Sequence, residues 1–265
     1  MLELLIQQNV GPFMNFNALV FIIASIIVMV IAAYVAPKYG LHEMRSIPQV
    51  DAIPEAINVC AEKGLPLVHT IGQQSPDNTS IGRDVPATQE VVKWMAQRCD
   101  ELGVRHFHTM SDPTIQIMTM DYARQGSILA GHPERYRPED IVYLSAGTGG
   151  GYSVVLGTIG IQERYNCQAL IVWGNFSFAT EVPILETASR RGNYIISGNS
   201  WTTEGIMGAF FTDLVAIMEE MTATGAYLSK DVKQGANQFG EDLCKFGYIA
   251  YMLIIMVMAY AGVYR

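Results

Sequence analysis

His106 and His108 stand two apart in a run rich in β-formers, so a strand would point both imidazoles to one face. His69 closes a second such run, and neighbouring strands would bring the three rings within reach of each other. Such a cluster suggests a metal site. No carboxylate or cysteine stands beside them at ligand spacing, however, and HExxH is absent, so packed, hydrogen-bonded histidines and no metal are expected. The stretch Gly147-Thr148-Gly149-Gly150-Gly151 would let backbone approach a phosphate. Tyr152 stands where the third glycine of a dinucleotide fingerprint belongs, and the P-loop lysine is missing, so no cofactor is expected.

Carboxylates supply general acids and bases. Glu181 and Glu186 are five apart and do not share a helix face, and Glu181 gains from a helix N-terminus without any catalytic role. Asp213 and Glu220 are seven apart in a stretch, Thr203 to Leu228, that reads as one long helix. There they share a face among Phe210, Phe211, Leu214, Ile217 and Met218. Carboxylates in so apolar a setting need partners, which makes both interface candidates. No catalytic residue is assigned.

The elements that must position these groups alternate. Short apolar runs follow longer amphipathic ones, the pattern of an α/β fold with a mostly parallel, Rossmann-like sheet flanked by helices. Five strands are expected, at Leu67 to Thr70, Val104 to Thr109, Ile141 to Ser145, Ala169 to Gly174 and Tyr194 to Ser197. Asp112-Pro113 starts a helix, Thr180 caps another, and Gly64, Gly103 and Gly192 sit at helix ends. Ligands of open parallel sheets bind beyond the carboxyl ends of the strands. The exits there carry His69, His108, Thr148, Gly149, Asn175 and Asn199, which are the ligand-binding candidates. Turns and caps use the same residue types, so plain connectors are the competing reading.

Half of the 265 residues are hydrophobic and 16% are charged. Apart from Asn17 and Ser25, Phe16 to Val35 is apolar or aromatic throughout, long enough to cross a bilayer. Phe246 to Val263 is a second such run, with Phe246, Tyr248 and Tyr251 at one end and Tyr260 and Tyr264 at the other. The expected organisation is a transmembrane helix in residues 1–40, an α/β domain in 41–245 and a second transmembrane helix in 246–265. Lys38, Arg45, Lys230, Lys233 and Lys245 flank the domain side against Arg265 opposite, which orients the domain to the cytoplasm. The net charge of −8, without a basic stripe, excludes nucleic acid as a partner. The four cysteines are dispersed and read as buried thiols.

One resemblance emerges. Gly174-Asn175-Phe176 followed by Glu181 and Glu186, then Phe210-Phe211-Thr212-Asp213, Glu219-Glu220 and Thr224-Gly225-Ala226-Tyr227-Leu228-Ser229, resembles an uncharacterised prokaryotic membrane-protein family known only as a domain of unknown function. The likeness continues into Glu241-Asp242-Leu243-Cys244-Lys245, and upstream Pro54-Glu55-Ala56 and Glu62-Lys63-Gly64-Leu65-Pro66 are similar to its opening helix. It implies a membrane-anchored α/β architecture and no reaction. The sequence thus favours a membrane-anchored, homo-oligomeric scaffold or accessory subunit, with the bilayer, other copies and other membrane subunits as partners. The alternative is an enzyme or sensor that binds a small, nucleotide-like ligand at the strand ends.

Overall fold

The computed structural model describes residues 16–40, 46–76, 84–144, 150–230 and 232–260. It divides into two compact units, residues 45–229 and residues 1–44 with 230–265.

The larger unit holds six strands: β1 Leu67–Gly72, β2 His106–Met110, β3 Ile141–Tyr143, β4 Ala169–Asn175, β5 Tyr194–Asn199 and β6 Val215–Ile217. They form one sheet in the order β3-β2-β1-β4-β5-β6, every neighbouring pair parallel. Strand order reverses between β1 and β4, both buried along their whole length. Alternation sorts their side chains onto two faces. Leu67, Ile171, Trp173 and Ile196 pack with Ile53, Ile57, Met95 and Met221 from α2 Ile53–Lys63, α3 Val85–Leu102 and α8 Glu219–Ser229. Ile71 and Met110 meet Val92 of α3 and Ile115 of α4 Pro113–Leu129. On the opposite face Val68, Phe107, Leu170 and Val172 pack with Val155 of α5 Gly150–Arg164 and with Ile184 and Leu185 of α6 Phe178–Arg190.

The local signals act as their chemistry dictates. Asp112 Oδ1 accepts hydrogen bonds from the Thr114 and Ile115 amides at 2.7 and 3.1 Å, capping α4. Gly64 and Gly103 end α2 and α3 in the left-handed region, at φ +64° and +72°. The α6 start differs from the expected Thr180. Ser177 is the cap, its amide donating to Thr180 Oγ1 at 3.0 Å, so Thr180 lies inside the first turn.

The stretch expected as one long helix is broken. It forms α7 Thr202–Gly208, the sixth strand and α8. Thr212 makes the turn, donating through its hydroxyl to the Ile195 carbonyl at 2.7 Å and accepting from the Leu214 amide at 3.1 Å. The β-branched Val215 and Ile217 then add an edge strand to β5, and Met218 at φ +49° turns the chain before α8. Asp213 is exposed in that turn while Glu220 lies in the first turn of α8. They share no helix face, and the geometric reason for pairing them as interface residues fails.

The smaller unit pairs α1 Phe16–Tyr39 with α9 Val232–Tyr260. A Cβ on Gly240 would lie 2.8 Å from Met29 Sδ and 3.0 Å from Ala32 Cβ, so glycine sets this close approach. Phe21 and Tyr248 meet edge to face with centroids 5.4 Å apart. Among the described residues one helix, Leu19–Tyr39, is long and apolar enough to cross a membrane. The run expected as the second span falls in the later half of α9, which does not meet that criterion among the described residues, and residues 261–265 of that expectation lie outside them.

Candidate functional site

The reversal of strand order opens the place where parallel sheets receive ligands, beyond the carboxyl ends of β1 and β4. Two glycines bring the backbones together there. Gly72 sits at φ +70°, and a Cβ on it would strike the Asn175 carbonyl and the Phe176 ring, while a Cβ on Gly174 would strike the Ile71 carbonyl. The Gln73 amide donates to the Asn175 carbonyl at 2.8 Å, closing the first turn after β1 against β4.

Around this seam the polar groups converge. Asn199, at the end of β5, donates through Nδ2 to Glu181 Oε2 at 2.6 Å and to the Phe176 carbonyl at 3.2 Å, and its Oδ1 accepts from the Trp201 amide at 3.1 Å. Ser197 Oγ donates to Glu181 Oε1 at 2.8 Å. Glu181 is fully buried, and burial pushes its carboxyl up to about 7, the Ser197 and Asn199 hydrogen bonds pulling it down in part. A buried carboxyl that titrates near neutrality can give or take a proton from a ligand. Glu186, on the same helix, instead pairs at the surface with Arg190 at 2.6 Å. Gly151, in the first turn of α5, would place a Cβ 2.6 Å from Thr180 Cγ2 and 2.8 Å from Gln73 Nε2. The start of α5, the start of α6 and the β1 exit therefore meet.

Two buried atoms at these exits have no hydrogen-bond partner, Asn175 Nδ2 and Gln74 Oε1. Gln74 spends its amide on Thr88 Oγ1 at 3.1 Å, which leaves its oxygen bare. Buried polar atoms are almost always satisfied, so this donor and acceptor are left able to bond a water or a ligand.

The sequence candidates divide accordingly. Asn175 and Asn199 are brought to the same exits, although Asn199 is committed to Glu181 and the backbone. Thr148 and Gly149 lie outside the described residues. His69 and His108 are directly paired in register in the β1–β2 ladder, fully buried and short of the strand ends. Gln74 and Glu181 carry chemistry that spacing alone did not single out. Gln74 falls in an unpatterned loop, and the only signal for Glu181 was a carboxylate in the first turn of a helix that is otherwise apolar on that face. No group of metal-ligating side chains is found among the described residues.

Residues 7–264 match the model of a family described as Domain of unknown function (DUF6754). No curated protein and no solved structure matches the chain.

Proposed function

Since the chain belongs to the family of the domain of unknown function DUF6754, which brings no reaction with it, we propose on physical grounds that it is a membrane-anchored receptor for a small polar ligand. The ligand seats at the carboxyl ends of β1, β4 and β5. The observation that carries this is the pair of buried, unpartnered atoms, Gln74 Oε1 and Asn175 Nδ2, on either side of the strand-order reversal. A ligand with both a donor and an acceptor, such as a nucleoside or sugar phosphate, satisfies both. Glu181, buried behind Asn199, makes binding sensitive to pH. The test is thermal stability of the full chain in detergent against a panel of nucleotides and sugar phosphates, with Asn175→Ala as control. A stabilising compound whose apparent affinity falls about five- to thirtyfold in the variant supports the reading, because truncation removes a buried hydrogen bond worth about 1–2 kcal/mol. No stabilisation by any compound overturns it.

We further propose that both α1 and α9 cross the bilayer and hold the larger unit on the cytoplasmic side. The flanking Lys and Arg residues and the exposed apolar faces of both helices support this, Ile26 and Ile27 on one and Ile254 and Val257 on the other. A second reading, self-association into a scaffold, draws on apolar side chains left open on the larger unit: Ile117, Leu156 and Phe210 are each at least 70% exposed. Native mass in mild detergent tests it, and a stable monomer would sink it.

A further inference from the structure

At the amino ends of β2 and β3, the opposite end of the strands from the β1–β4 seam, lies a cavity of about 260 Å³. We propose that it is a second binding site, for a small zwitterion of the amino-acid type, whose ammonium pairs with Asp100 in the wall and whose carboxylate meets Arg135 and Arg137 at the rim.

Asp100 is the residue that lacks a partner. It lies in the last turn of α3, which Gly103 closes, and its side chain is only 4% exposed. A carboxylate there faces the negative end of the helix macrodipole. A buried charge is costly unless something pairs with it. His106 Nε2 stands 3.5 Å from Asp100 Oδ1, outside the about 2.7–3.2 Å of an N–H···O bond, and Oδ2 is buried with no hydrogen-bond partner.

The arginines in the wall do not fill that want. Arg105 gives Nε and Nη2 to Asp140 at 2.8 and 2.6 Å. Arg135 donates to the backbone carbonyl of Asp100 and not to its carboxylate. Arg137, exposed at the rim, makes no ion pair among the described residues. Of the other carboxylates, Asp140 is held by Arg105, and Glu134 contacts His132 at 3.1 Å. The cavity therefore offers an unpaired carboxylate in its wall and an unpaired guanidinium at its mouth.

Size and charge together select the ligand. Drug-sized molecules take pockets of about 300–1,000 Å³, so this one receives something smaller. A compact metal ion fits poorly, because no group of metal-ligating side chains gathers among the described residues and exposed arginines stand at the opening. An organic ammonium brings three donors, enough for both oxygens of Asp100. Arg137 and the remaining N–H groups of Arg135 suit a carboxylate, which a guanidinium can grip at two points. Val104 and Ile141, also in the wall, give an aliphatic side chain an apolar surface.

The test is thermal unfolding of the full chain in detergent, at fixed pH and ionic strength, with each standard L-amino acid set against its decarboxylated amine and its deaminated acid. At least one amino acid is expected to raise the unfolding temperature by more than either half-molecule at the same concentration. In Asp100→Asn its apparent affinity should fall about tenfold or more, through loss of hydrogen bonds to a charged group. Arg137→Glu, a change at an exposed position, should reverse the preference, so that the amine binds better than the amino acid; it decides alone if Asp100→Asn does not fold. Asn175→Ala, at the other end of the strands, should leave the effect intact, and its loss there would assign the ligand to the β1–β4 seam and overturn this site. Stabilisation by no amino acid also overturns the proposal, as does unchanged binding in either cavity variant or a deaminated acid that binds as well as its amino acid.

Discussion

A carboxyl that sits between two hydrogen-bond donors and still titrates near neutrality is governed by burial. Glu181 is held at about 7 against an ordinary value of 4.5. Its folded value is raised, so the stability it contributes is complete below pH 4.5 and is lost as pH rises through about 7. At ~1.4 kcal/mol per pH unit between those two values, the loss is on the order of 3 kcal/mol. Glu181→Gln keeps an acceptor for Asn199 and offers Ser197 a donor, and it cannot ionise. Denaturant unfolding across pH 4 to 8 should show the loss in the natural protein and a nearly flat profile in the variant. Equal pH dependence in both would remove Glu181 from any role in proton exchange. Arg105 is the opposite kind of residue. Its guanidinium grips Asp140 at two points and lies over the Phe107 and Tyr165 rings, 4.6 and 4.8 Å from their centroids. Arg105→Ala leaves the Asp140 carboxylate, only 5% exposed, without that partner. With the arginine itself about one-third exposed, the expected cost is discounted to about 2 kcal/mol in unfolding free energy.

At the scale of elements, composition and spacing disclosed most of the strands and little of their arrangement. Buried parallel strands are continuous apolar runs, so β1, β2, β4 and β5 stand out between helices that carry their own caps. The strand Val215–Ile217 does not, because three residues at a sheet edge make no periodic signal and the flanking apolar residues imitate a helix. The candidate site was half legible for the same reason. Asn175 and Asn199 follow visible strands, whereas the bare atom of Gln74 and the burial of Glu181 exist only after β1, β4 and β5 are side by side. The β1–β4 seam depends on the absence of a side chain. In Gly174→Ala the new methyl meets the Ile71 carbonyl, which belongs to the central ladder and has nowhere to go. A loss of about 3 kcal/mol by chemical denaturation is expected, the upper end of what overpacking costs. Gly160, exposed within α5 and with nothing within 4 Å of a new Cβ, is the matched control, and Gly160→Ala should gain about 0.5–1 kcal/mol. If both changes cost the same, close approach is not what holds the seam.

For the whole molecule the deciding question is which solvent surrounds the smaller unit. Along α1 the side chains of Ile22, Ile26, Ile27, Val30 and Ile31 are all about half exposed, and the late part of α9 is open in the same way at Ile254, Met256 and Val257. Full burial of one such side chain is worth about 1.5–3 kcal/mol, and these exposed apolar faces are what the proposed insertion of both helices into lipid would cover. The proposed crossing of both helices carries an orientation with it, for which the excess of Lys and Arg at the junctions of the larger unit is the argument. Topology can be read with one reactive thiol. Cys60, Cys99 and Cys167 are buried, and burial raises their thiols, to about 12 for Cys60 and Cys167, so they stay silent while the protein is folded. With Cys244→Ser removing the remaining half-buried thiol and Ser189→Cys placing one on an exposed turn of α6, a membrane-impermeant maleimide should label inverted vesicles and spare intact cells. Labelling of intact cells would reverse the orientation. Release of the protein by alkaline carbonate would show that neither helix is integrated, and the anchoring proposal would fall with it.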